Sequence, residues 1–340
     1  MTRGFHHYGE ENMTTELRGW AAMALLALGV LPCTAPAQGW KPERNVELTI
    51  PTSPGGSNDI AGRIIHKLWT ELKLLPVSSS VVNRSGGEHI VAYTYISQRA
   101  GDAHAIGVMS TPMLVNPIEG RTRLTHNDVT PIAYLITEPM IAVVRADSPI
   151  KTGGELVEAL SKNPAALSIA LTSTGHRVSV GMPMQKAGVN IKGVRMPAFK
   201  GGGETIIAVM GGHADVLITS VSTSVPHISS GQMRGIAVSS TKRLGGALAS
   251  VPTWQELGYP SSGSWKGVMA PKGITPAQIA FWEDVMRKSA ESDEIRLYAE
   301  QNQWLLEFKG AAETKKWLDE EFVALKAIMT ELGLVRQPAN

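Results

Sequence analysis

The chain has 340 residues, 43% of them hydrophobic, and a net charge of +2. That length supports one large or two moderate α/β domains with cores of their own. The near-balanced charge, with no basic run interleaved with aromatics, argues against a nucleic-acid partner.

The N-terminus reads as a leader. Arg18 precedes an apolar run over residues 20–31, and Ala35-Pro36-Ala37 has the small–x–small pattern of a signal-peptidase site. Residues 1–37 are therefore expected to be a signal peptide. Met13 offers an alternative start, because Glu10 and Glu11 are odd in a leader. The apolar run is too short for a comfortable membrane span. Cys33 is the one cysteine, and Pro32 stands where a lipid-attachment signal wants a small residue. The chain after Ala37 has no cysteine for a disulfide or a thiolate metal site. These features predict an exported, periplasmic protein stabilised by its core.

Residues 46–63, VELTIPTSPGGSNDIAGR, come next. Val46, Leu48 and Ile50 alternate as one face of a strand. Pro51, Pro54, Gly55 and Gly56 turn the chain, and Ser57, Asn58 and Asp59 offer helix N-caps. Ile60, Ile64, Leu68 and Leu72 mark one helix face. Glycines ahead of a helix start expose N–H groups to an anion, so residues 55–59 form a candidate anion site. An ordinary strand-to-helix turn is the plain alternative.

Strands are expected over 76–82 and 105–109, separated by a Gly-rich turn at 83–87 and a helix from about His89. This rhythm predicts a parallel sheet, with turns 53–59, 83–87 and 110–111 on its ligand-binding edge. Strands follow over 131–135 and 140–144, the second crossing into another lobe. There the pattern restarts: helix 154–161, strand 167–171, polar turn 172–175, helix 176–187, short strand 193–196, helix 204–210, strand 214–219, helix 223–230 and strand 235–239. A strand over 265–270 leads back, and helices over 276–289 and 311–332 complete the first lobe. Residues 38–142 with 264–340 are expected to form one lobe and 143–263 the other, a hinged clamp with a ligand cleft between.

Enzyme motifs are fragmentary. Ser239 with Lys242, Ser148 with Lys151, and Lys151-Thr152-Gly153 match pieces of the serine β-lactamase set, but the order is wrong and no S-D-N intervenes. There is no H-E-x-x-H, G-x-S-x-G or P-loop, and Gly201-Gly202-Gly203 lacks the dinucleotide spacing. The histidines after the leader form no close pair of metal-ligand type. No catalytic residue, metal or cofactor is expected. One rival is an exported hydrolase or transferase using Ser57 or Ser173, with His176 as base. What both lobes offer are turns rich in glycine and hydroxyls, which hold a carboxylate with few charged side chains.

Several short motifs recur in a telling order: Pro54-Gly55-Gly56 with Asp59, Asn83-Arg84, Asn116-Pro117, Lys200-Gly201-Gly202-Gly203-Glu204 and Gly211-Gly212-His213-Ala214-Asp215. Pro226-His227-Ile228, Gly231, Pro252-Thr253 with Glu256 and Gly258, and Ala270-Pro271-Lys272-Gly273 follow. Together they resemble the substrate-binding proteins of bacterial tripartite tricarboxylate transporters, the TctC-like or Bug family, over nearly the whole chain after the leader. The resemblance implies a type II periplasmic-binding-protein fold, two α/β lobes closing on a ligand. It implies a small organic acid as ligand, handed to membrane permease subunits, and a monomer is expected. Implied ligand-binding positions are Ser53, Gly55, Gly56, Ser57, Asp59, Ser110 and Thr111 in the first lobe. In the second they are Thr172, Ser173, Thr174, Gly175, Phe199, Lys200, Gly201 and Ser220, with His176 beside them. Asp59, four residues before Arg63, is expected to brace the helix start more than touch an anion.

The chain also departs from the family pattern. The common N-R-P-G-A-G-G turn is Asn83-Arg84-Ser85-Gly86-Gly87-Glu88, D-G-Y is Asp102-Ala103-His104, and P-Y-K-G carries an extra residue in Pro197-Ala198-Phe199-Lys200-Gly201. Thr219 or Ser220 stands where an acidic residue is frequent. Its loss disfavours a ligand ammonium group, which leaves di- or tricarboxylates and aromatic carboxylates as the expected ligands. A ligand sensor for a signalling partner would use the same pocket.

Overall fold

A computed structural model describes residues 39–335 together with Met1, Thr2 and Gly4. The leader's apolar run, Met13, Cys33 and the cleavage pattern lie outside the described residues. The chain begins β1 Val46–Ile50, α1 Ser57–Glu71, β2 Ser79–Asn83, α2 Ile90–Ser97, β3 Ala105–Ser110, α3 Pro112–Glu119 and β4 Val129–Glu138. It continues β5 Met140–Arg145, α4 Gly153–Lys162, β6 Ile169–Ala170, α5 Thr174–Lys186, α6 Gly202–Met210, β7 Val216–Ser220, α7 Val221–Ser229 and β8 Met233–Val238. It closes with β9 Ser264–Pro271, α8 Pro276–Glu291, α9 Asp293–Asn302, β10 Leu305–Lys309 and α10 Ala311–Glu331. Among the described residues no helix is long and apolar enough to cross a membrane.

Two sheets organise these elements. The first has the order β10-β4-β9-β3-β1-β2 and the second β6-β7-β5-β8. The expected parallel sheets are mixed. Among the described strands, β2-β1-β3 and β6-β7 pair parallel and the other neighbours antiparallel. β4 carries the chain out of the first lobe and β9 brings it back, so they run in opposite directions and pair antiparallel. The outward crossing occupies Glu138, Pro139 and Met140. Met140–Ala142, expected in the first lobe, therefore pair with β7 and β8 in the second sheet.

Period-two patterning decides which side chains enter which core. Val46, Leu48 and Ile50 are fully buried in one layer with Ile106 and Val108. Ala105 and Met109 face the opposite layer with Ile96 and Trp265. Gly107 shares that face, and a Cβ there would lie 2.9 Å from Ile96 Cγ1, so glycine lets α2 settle onto β3. Each such buried aliphatic side chain contributes roughly 1.5–3 kcal/mol. In the second lobe Met140, Ala142 and Val144 enter one layer and Ile141 and Val143 the other.

The C-terminal helices pack onto the first sheet. Trp282 of α8 donates its indole N–H to the Ala103 carbonyl at 2.8 Å, and Thr314 of α10 accepts from the Tyr134 N–H at 2.9 Å. Trp265 belongs to this core, stacked on Tyr134 and set edge-on to Trp317. Of the helices and strands named above, α3, α9 and β10 lie outside the sequence expectation, and the short strand expected over 193–196 is instead a 3₁₀ turn at Ile191–Gly193 followed by a single bridge from Arg195 to Ser168.

Candidate functional site

The start of α1 is built by its own loop. Gly56 is the N-cap and brings no side-chain cap, so Ser57, Asn58 and Asp59 are the first helical residues and not caps. Asp59 is buried in the first turn, where the helix dipole favours its charge. Its carboxylate accepts from the Gly55 N–H at 2.9 Å, Asn83 Nδ2 at 2.8 Å and Arg63 Nε at 2.9 Å. Asn83 also donates to the Thr52 carbonyl at 2.8 Å. Asp59 thus fixes the loop that presents the first, internally unpartnered N–H groups of α1.

Those groups face a cleft between the lobes. Of the expected positions, Gly56, Ser57, Ser110, Thr111, Thr172, Ser173, Gly175, His176 and Ser220 line it. Ser53, Gly55, Asp59, Thr174, Phe199, Lys200 and Gly201 do not. Phe199 leans on the second-lobe core and bonds the Leu171 carbonyl through its N–H. Lys200 is exposed, and its N–H bonds Glu204. Gly201 lies against Ser53 across the lobe boundary. Thr174 bonds Glu88 and Glu119.

Residues the sequence reading did not select also line the cleft, among them Thr52, Asn58, His89, Gly202 and Thr223. Asn58 sits in the α1 stretch, where its local signal is that of a helix cap. His89 carried no local signal beyond opening a helix. Thr52 Oγ1, Asn58 Oδ1 and Thr223 Oγ1 are buried without a hydrogen-bond partner among the described residues. No Asp, Glu, Lys or Arg is among the lining residues.

The charge beneath the cleft is internally matched. Glu138 at the outward crossing and Lys266 on the returning strand are both buried and paired. Glu138 also accepts from Ser57 Oγ at 2.6 Å, the Ser222 N–H at 3.2 Å, the Ser222 hydroxyl and Trp304 Nε1 at 3.2 Å. Burial pushes the Glu138 carboxyl up, but Lys266 and the hydroxyls of Ser222 and Ser57 outweigh it and hold it below the usual carboxylate range. The Ser57 hydroxyl is thereby committed to Glu138, where the sequence suggested a ligand carboxylate. The hydrolase alternative meets the same obstacle. Ser57 points at a carboxylate, and His176 Nδ1 accepts from the Thr172 N–H at 3.3 Å. Among the described residues neither the Ser57 nor the Ser173 hydroxyl is hydrogen-bonded to a histidine; the His176 backbone N–H donates only to the Ser173 carbonyl.

Two histidines from opposite lobes face the cleft. His89 Nδ1 lies 3.4 Å from the Tyr93 hydroxyl and 3.5 Å from Ser110 Oγ. Burial pushes His89 down to about 3, reinforced by His176 and Lys266. Burial also pushes His176 down to about 4, aided by Lys266 and opposed by Glu138 and the Ile218 backbone. Both rings are therefore neutral at pH 7, while in the unfolded chain they protonate below about pH 6.5. Their contribution to stability is complete above that pH and lost as pH falls toward 4. Each should cost on the order of 2 kcal/mol at pH 5 relative to pH 7. Urea midpoints at the two pH values check this, and His89→Asn should flatten the dependence. An unchanged midpoint in the parent protein would contradict it.

With this geometry in place, the chain can be set beside known proteins. The family model for the tripartite tricarboxylate transporter family receptor, TctC, matches residues 72–334. The chain belongs to the TctC family. A protein of the gbd 5′ region of Cupriavidus necator is 26% identical over 322 residues, covering 93% of this chain and 95% of its own. The periplasmic binding protein BugD superposes with a TM-score of 0.77 at 22% identity, covering 87% of this chain and 100% of its own. MatC of Rhodopseudomonas palustris, solved with bound malate, superposes at 0.74 with 20% identity, covering 84% and 99%. The two-lobed, type II-like TctC architecture expected from the motifs is therefore the fold of this chain.

Proposed function

We propose that this TctC-family chain captures a small organic carboxylate in the periplasm and delivers it to the membrane subunits of a tripartite tricarboxylate transporter. The observation that carries the reading is the set of orphaned polar atoms. Thr52 and Thr223, one from each lobe, each leave a buried hydroxyl unpartnered on one cleft and able to donate to a carboxylate, while the Asn58 amide oxygen leaves an acceptor for a ligand hydroxyl or water. Such an atom costs about 1–3 kcal/mol until something bonds it. The N–H groups at the start of α1 supply donors for a carboxylate, and no acidic side chain lines the cleft to hold an ammonium group. A di- or tricarboxylate, or an aromatic carboxylate, suits this lining better than an amino acid. The malate bound to MatC is consistent in chemistry.

Calorimetric titration of the purified chain with malate, citrate, adipate, benzoate and a set of amino acids tests the proposal. At least one carboxylic acid should bind and raise the unfolding temperature, because a ligand at 100 times its Kd adds about 2.7 kcal/mol to stability. Amino acids should bind more weakly than that acid. No binding by any acid, or tighter binding by amino acids, would overturn the reading.

A further inference from the structure

The turn after β2 carries a carboxylate across the lobe boundary. Glu88 and His89 hold φ of +51° and +80°, a backbone that residues with side chains rarely adopt. Asn116 Nδ2 braces the turn by donating to the Glu88 carbonyl at 2.8 Å. In this conformation Glu88 Oε2 accepts from the Thr174 N–H at 2.6 Å and lies 3.0 Å from the Thr174 hydroxyl. Thr174 is the first residue of α5, where N–H groups lack internal partners and the dipole favours an anion. Glu119, closing α3 in the first lobe, faces the same hydroxyl. The two carboxylates are 7% and 8% exposed. An arginine from each lobe completes the cluster. Arg121 pairs with Glu119 at 2.6 Å and stands 3.4 Å from Glu88, and Arg177 stands 3.4 Å from Glu119.

A helix is ordinarily capped from its own loop. Here the cap comes from the opposite lobe, so separating the lobes must break it. We propose that Glu88 and Glu119 form a latch that holds the lobes together, occupying the α5 N-terminus with the protein's own carboxylate. The ligand then supplies only part of the closure free energy, and its carboxylate is directed to the α1 side of the cleft. Ligand release requires the same charge-assisted bonds to open.

The test needs no ligand, so it stands apart from the titration above. The purified chain, Glu88→Gln and the double variant Glu88→Ala/Glu119→Ala are compared by small-angle scattering and by hydrogen exchange. The double variant should show a larger radius of gyration. Its peptides covering residues 172–178 should exchange about tenfold faster or more, with β5 and β7 unchanged, as expected for the loss of charge-assisted bonds at a local opening. Glu88→Gln keeps an acceptor but not the charge and should fall between, and it serves alone if the double variant does not fold. Unchanged scattering and exchange would overturn the latch. So would uniform loosening of both sheets, which marks a general brace.

Discussion

Lys266→Met is expected to lower the unfolding free energy by about 3–5 kcal/mol, the loss typical of a buried ion pair stripped of one partner. Glu138 is fully buried, so losing the ammonium leaves its charge without a counter-ion. The hydroxyls of Ser57 and Ser222, the Ser222 N–H and the Trp304 indole remain as donors. They satisfy lone pairs but do not neutralise the charge, so the carboxyl, now held low by Lys266, is pushed upward by burial. Glu138→Gln combined with Lys266→Met should recover a large part of the loss, because two neutral groups leave no uncompensated charge. Urea unfolding of the parent, both single variants and the pair measures the coupling. A shift under about 1 kcal/mol in Lys266→Met would mean that the pair is not what holds the crossing.

Gly175→Val is expected to weaken binding of the acid identified by titration about 100-fold, equivalent to an overpacking cost of up to 3 kcal/mol. Gly175 sits in the first turn of α5, and a Cβ there would lie 3.0 Å from Cγ2 of Thr111, on the opposite lobe. Its φ is not positive, so the backbone accepts valine and the penalty falls on closure. Without ligand, the unfolding midpoint should change little. Thr111→Ala removes the opposing methyl and should restore part of the affinity. Parent-like affinity in Gly175→Val would show that the lobes bind without this approach.

Local patterns were legible because their causes are local. The alternation of Val46, Leu48 and Ile50 and the Pro54-Gly55-Gly56 turn placed β1 and α1. The hydroxyl-rich turns placed much of the cleft rim. What escaped depends on partners far along the chain. Ser57 meets Glu138 across 81 positions and Glu88 meets Thr174 across 86, and no spacing rule reaches that far. The sequence therefore points Ser57 at the ligand and marks Glu88 only as a departure from a glycine-rich turn. Helix α3 was hidden by Pro117 in its interior, and β10 by its place at the sheet edge, where Leu305 is exposed. Asp59 went the other way, because its partner Arg63 lies one helical turn on.

The place of β9 has a consequence for how the molecule assembles. The second sheet draws on one unbroken stretch, from β5 through β8, and can close on itself as soon as that stretch is available. The first sheet cannot. β9 lies between β4 and β3, so until it arrives β4 stands apart from the β3-β1-β2 ribbon, which is left waiting for a partner more than 150 residues downstream. Such distant pairing is slow, and it leaves the inner edge of β3 open in the meantime. A chain crossing a membrane unfolded, amino end first, would therefore finish its later lobe before its earlier one.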